Sequence, residues 1–152
     1  MKMLFLFLIL LACDNRDYRI NKARQFMQNW NYERALVELS IFKNKKDAEA
    51  HYLLGQCYVG KNNYDEARNS FKTALQFDTM YIDSVDAIYK SLIQKSIKID
   101  DTERATFFFD QLLSLSPRPY FEPSFLFLMG DIYFNGQNYE KAATTYEKGL
   151  KI

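Results

Sequence analysis

At 152 residues the chain has room for one domain, or for a short repeat array that behaves as one. It is 48% hydrophobic and 26% charged, with only 5 Gly and 3 Pro, which excludes a disordered chain and disfavours a turn-rich sheet sandwich. The formal charge of +1 comes from Lys and Arg interleaved with Asp and Glu, so no basic stripe invites a nucleic acid.

The first element is a processing signal. Met1-Lys2 is a short basic start, and Met3 to Ala12 carries no polar side chain. Ten apolar residues make roughly 15 Å of helix, about half a bilayer core, which fits a secretory h-region. The run ends at Leu10-Leu11-Ala12-Cys13 and turns polar at once with Asp14-Asn15-Arg16-Asp17. This arrangement resembles the lipobox of bacterial lipoproteins. The resemblance implies a signal peptide over 1–12, acylation of Cys13 and a short tether over 13–16. It implies a protein held on a membrane of the cell envelope by its lipid chains rather than by electrostatic attraction to anionic headgroups, since beyond residue 12 Lys and Arg balance Asp and Glu at 19 each. Asp14 is similar to the inner-membrane retention signal of enterobacterial lipoproteins, which does not apply to all bacteria.

From about residue 17 the chain repeats itself. One element recurs as Asn31-Tyr32-Glu33-Arg34-Ala35, Asn63-Tyr64-Asp65-Glu66-Ala67 and Asn138-Tyr139-Glu140-Lys141-Ala142, with a degenerate copy at Asp101-Thr102-Glu103-Arg104-Ala105. Four residues past each alanine stands a large apolar residue: Leu39, Phe71, Phe109 and Tyr146. Asn or Asp caps each helix, acids occupy its positive first turn, and the alanine shares a face with the residue at i+4. Partner helices precede two copies with the same glycine register, Leu54-Gly55 and Met129-Gly130. A glycine inside a helix costs about 1 kcal/mol against alanine, so its reuse predicts a close helix crossing. Gly60-Lys61-Asn62 and Asn135-Gly136-Gln137 read as turns. The pattern predicts eight helices, at about 17–29, 32–43, 48–60, 64–77, 81–98, 101–115, 122–135 and 139–151. Ser114 to Pro123, with three prolines, is the irregular connection.

These marks resemble the tetratricopeptide repeat. The second copy matches its pattern through His51, Leu54, Gly55, Tyr58, Ala67, Phe71 and Ala74, and the fourth through Leu126, Met129-Gly130, Tyr133, Ala142, Tyr146 and Gly149. The third is weaker (Tyr89, Leu92, Ile93, Ala105, Phe109, Leu112, Pro117), and the first is weakest (Ala23, Phe26, Tyr32, Ala35, Leu39). The signature alanines lie 32, 38 and 37 residues apart, against the family's 34. The resemblance implies an all-α, α-α superhelix, a solenoid of about four helical hairpins over 17–152. Its concave face would take a peptide or partner helix through Arg24, Met27, Tyr52, Gln56, Val59, Lys90, Gln94, Ile97, Phe127, Asp131 and Phe134. Several of these could equally pack between repeats. The family's Lys, Asn and Arg clamp for a terminal carboxylate finds Ile20, Leu53, Ala87 and Ser91 at its matching positions, so recognition of chaperone tails is not expected.

Catalytic chemistry is not visible. There is no glycine-rich phosphate loop, no CxxC and no nucleophile elbow. His51, the single histidine, has no second ligand at metal spacing, and Cys57 reads as a small buried hydrophobe without a disulfide partner. No cofactor, metal or catalytic residue is expected. The leading expectation is an envelope scaffold that binds other proteins; a rival is a subunit of outer-membrane protein assembly or secretion machinery. The last hairpin finishes at Leu150-Lys151-Ile152 without a polar solvating helix, so another protein or a second copy of the chain is expected to cover it.

Overall fold

The computed structural model describes residues 2–116 and 121–151, with side chains from residue 15 onward. Among the described residues the chain forms eight α-helices: α1 (Lys2–Gln28), α2 (Tyr32–Leu39), α3 (Ala48–Gly60), α4 (Tyr64–Phe77), α5 (Ile82–Lys98), α6 (Thr102–Leu115), α7 (Pro123–Asn135) and α8 (Tyr139–Leu150). Short 3₁₀ turns follow α2 (Ser40–Phe42) and α4 (Thr79–Tyr81). Helices pair in chain order into four hairpins, two in a unit ending at Tyr81 and two in a unit beginning at Ile82. The fold is the expected all-α, tetratricopeptide-like one. The helix expected over 17–29 is the second half of α1, which begins much earlier. The side chains of residues 1–14, Cys13 among them, lie outside the described residues, as do Pro117 and Pro119 of the irregular connection.

All four hairpins turn by the same backbone motif. The N–H groups of Asn31, Asn63, Asp101 and Asn138 donate to the carbonyls five residues back, on Phe26, Tyr58, Ser96 and Tyr133, at 2.8–2.9 Å. The preceding residues, Trp30, Asn62, Asp100 and Gln137, take left-handed φ of 58–60° and donate to the carbonyls three back. This is a Schellman ending, in which the last free carbonyls of one helix are satisfied before the next begins. The following Asn or Asp then caps the second helix. Asn31, Asp101 and Asn138 accept from the N–H groups of Arg34, Arg104 and Lys141 at 3.2, 2.9 and 3.2 Å.

The left-handed position is not the glycine that the sequence offers. Gly60 and Gly136 precede it, and no described glycine has positive φ. Gly60 is small for another reason: a Cβ there would enter the Tyr32 ring of the preceding hairpin. Trp30 is the misfit among the four, because a bulky L-residue in this region costs roughly 1–2 kcal/mol. Its indole is 79% exposed and meets the Tyr32 ring in a T-shaped pair, with centroids 6.3 Å apart. Trp30→Asn should therefore raise stability by about 0.5–1 kcal/mol, read as a higher urea midpoint at unchanged slope.

The first unit buries Ile20, Ala23, Ala35, Leu39, Phe42, Ala50, Leu53, Leu54 and Cys57 together. Arg16 fastens α1 to the start of α3: its Nε and Nη2 donate to the two Asp47 oxygens at 2.7 and 3.0 Å, and Nη2 also reaches Glu49 at 2.8 Å. Asp47 caps α3 as well, accepting the Ala50 N–H at 3.0 Å. Burial pulls the Asp47 carboxyl upward, but the Arg16 guanidinium and the Ala50 N–H outweigh it and leave its pKa lowered. A lowered folded value stabilises above the unfolded carboxylate pKa of about 3.9, and the contribution fades as pH falls through the folded value. Urea titrations of wild type and Arg16→Met should thus differ clearly at pH 7 and converge below about pH 4.

Candidate functional site

The expected contact residues all stand on α1, α3, α5 and α7, the first helix of each hairpin. In the first unit this face is largely occupied by its own neighbours. The Arg24 guanidinium donates to Glu49, and Met27 packs on the core. The Tyr52 ring lies against Tyr81, stacked at 4.7 Å, and against Phe71 at 5.9 Å. Its hydroxyl accepts from Gln56 Nε2 at 3.0 Å. Val59 is half-buried one turn further on. The first unit's members of the proposed contact set therefore double as packing residues. Ile20 and Leu53 are buried in the core, where no clamp residue could work.

The second unit is more open. On α7, Phe127, Asp131 and Phe134 follow one another at helical spacing and all are exposed. Tyr146 from α8 donates its hydroxyl to Asp131 Oδ1 at 2.6 Å and sets its ring 6.4 Å from Phe127. Phe134 meets the Tyr139 ring edge-on at 5.3 Å. On α5, Gln94 is exposed while Lys90 and Ile97 are half-buried. Lys90 and Gln94 line a groove of about 280 Å³ whose other walls are Phe121, Glu122 and Phe125.

The aromatic wall of that groove escaped the sequence reading. Phe121 and Phe125 stack with centroids 5.2 Å apart and an interplanar angle of 15°. The Lys90 ammonium sits 5.1 Å from the Phe121 centroid, within cation–π range. Beneath them Phe109 contacts Phe121, Phe125 and Tyr133 at 5.2, 6.1 and 6.2 Å. Phe71 and Tyr146 lie over Gly55 and Gly130 of their own hairpins. Phe109 faces a hairpin with Ile93 at that register, and its ring rests on the next hairpin instead. The i+4 rule located Phe109; nothing in the spacing told where its ring would turn.

Tyr133, His51 and Cys57 each sit in a structural setting. The Tyr133 hydroxyl donates to Asp110 at 2.6 Å; burial, then the Asp110 carboxylate, raises the Tyr133 pKa. His51 is buried, its Nε2 3.0 Å from the Lys45 carbonyl and its ring 5.8 Å from Phe77. Burial pushes the Cys57 thiol up to about 12, so it is not a nucleophile at neutral pH. Among the described residues no group of three His, Cys, Asp or Glu could hold a metal ion, and no helix is long and apolar enough to cross a membrane.

Fold and contacts together define an all-α chain of helical hairpins with exposed aromatics on α7. Residues 48–79 and 123–152, the stretches that hold the second and fourth hairpins, each match the tetratricopeptide repeat. The crystal structure of MamA shares the fold across 94% of this chain and 81% of that one, with a TM-score of 0.52 and 18% identity. No curated protein matches the sequence.

Proposed function

We propose that this chain is a non-catalytic scaffold of the bacterial cell envelope, held on a membrane by lipid on Cys13 and recruiting a protein partner to its second unit. The observation that carries the reading is the α5 and α7 surface. Exposed Phe127 and Phe134 flank Asp131, and the groove beside Lys90 and Gln94 has a stacked phenylalanine wall. Large rigid aromatics beside a few polar groups are what interface hot spots are made of. A scaffold of tetratricopeptide repeats works through such surfaces rather than a reactive centre. The leader and Cys13 support the envelope location, since an acylated cysteine after a short h-region is the signal of an exported, lipid-held protein.

Photo-crosslinking from Gln94 in native membranes tests the scaffold. A discrete adduct should form with wild type and be lost in Phe127→Ala/Phe134→Ala, both exposed positions where truncation leaves the fold intact. An adduct indifferent to that pair, or turnover of a substrate by the purified chain, would sink the proposal. The mass of the N-terminal peptide tests the anchor.

A further inference from the structure

Adjacent helices of the first unit run antiparallel, which sorts its connections to two ends. The hairpin tips at Trp30 and Asn62 lie at one. The part of α1 around Arg16, the linker over 43–47 and the turn after α4 lie at the other. Contacts tie that second end together: Arg16 grips Asp47 and Glu49, the Lys45 carbonyl meets His51, His51 meets Phe77, and Tyr81 stacks on Tyr52.

The charge at this end is not spread evenly. Asp47 and Glu49 are engaged by Arg16 and Arg24, Asp17 by Arg16, and Asp78 accepts the Met80 N–H at 2.9 Å. Lys43, Lys45 and Lys46 are all exposed and belong to none of the ion pairs among the described residues. Lys45 extends over the Phe42 ring at 5.4 Å. Beside these lysines in the chain, or on the neighbouring α4 end, stand the exposed apolar residues Ile41, Phe77 and Met80, the last 71% exposed. Arg16 follows Cys13 by three residues, which span at most about 11 Å even when fully extended. An acyl group on Cys13 would therefore bring this end, and not the Trp30 end, to the headgroups.

We infer that the 43–47 linker is a second membrane contact. Lys43, Lys45 and Lys46 meet an anionic phospholipid surface, and Ile41 and Met80 sit at its boundary. The inference rests on the reading of Cys13 as the lipid anchor and gives that anchor an orientation. Charge complementarity names the occupant: three ammonium groups in four residues with no carboxylate ion pair, beside an anchor, match the pairing of lipid and basic patch that holds a protein firmly on anionic bilayers. With this end down, α1 rises away from the bilayer. The 14 helical steps from Arg16 to Trp30 carry the far tip roughly 21 Å higher.

The test uses the full lipidated chain on vesicles with brominated acyl chains, of phosphatidylcholine alone or mixed with phosphatidylglycerol. Native Trp30, the single tryptophan, should stay unquenched on both. In Trp30→Phe/Met80→Trp the new indole should be quenched several-fold more on the anionic vesicles, and Lys43→Glu/Lys45→Glu/Lys46→Glu should abolish the difference. Quenching at Trp30, or quenching at position 80 that ignores lipid charge and the lysines, overturns the inference. An N-terminal peptide without acyl groups overturns the anchor and this inference with it; an acylated peptide without lysine-dependent quenching overturns this inference alone.

Discussion

Phe109→Ala should destabilise the protein by about 3–5 kcal/mol, the largest effect expected from a single side chain outside the first unit. The ring is fully buried and touches three other aromatics at once. Its removal leaves a cavity that Phe121, Phe125 and Tyr133 cannot all collapse into, since Tyr133 is held by its bond to Asp110 at 2.6 Å. The groove suffers too, because Phe109 is the floor on which the stacked pair rests. Phe109→Leu keeps most of the volume and should cost about 1 kcal/mol, while still loosening the wall. Urea unfolding gives the first effect, and crosslink yield from Gln94 gives the second. If Phe109→Ala unfolds within 1 kcal/mol of wild type (far below the roughly 3 expected), the aromatic cluster is not what joins the third and fourth hairpins.

The hairpins were legible because their rule is local. Asn or Asp, then acids, then alanine with a large residue at i+4, states a cap, a dipole and a buried face within nine positions, and every such segment formed a helix. The Schellman endings were not legible. Asn62 and Asp100 are residue types that tolerate a left-handed backbone, but Trp30 and Gln137 give no such signal, and the backbone at all four is dictated by the helix each one closes. The contact face was legible in register only. Helical spacing placed Tyr52 and Phe127 equivalently, yet Tyr52 is covered by Tyr81, which arrives from a 3₁₀ turn 29 residues later. No periodicity inside α3 could announce that partner. The groove wall was hidden for a related reason, since Phe121 belongs to a proline-broken connection where no helical register applies.

Gly55→Ala is the sharper test of how the repeats nest, because two effects of opposite sign meet there. Alanine favours a helix over glycine by about 1 kcal/mol, so in an open position the change would stabilise. Here a Cβ would lie inside the Phe71 ring, and that ring is fully buried with Tyr52 against it at 5.9 Å. It has no solvent side to swing toward. Overpacking of this kind costs about 1–3 kcal/mol and sometimes more, so with the helix gain subtracted a net loss of about 1–2 kcal/mol is expected. Gly130→Ala repeats the experiment with one variable altered. Its Cβ would meet Tyr146, but that ring is only half-buried and can turn outward once it gives up its bond to Asp131. The two terms then nearly cancel, and Gly130→Ala should sit within about 0.5 kcal/mol of wild type. Pairing Gly55→Ala with Phe71→Leu should cost less than the two single losses added together, because the smaller side chain relieves the clash. Strict additivity in that cycle would mean that the crossing of α3 and α4 is not set by glycine against ring.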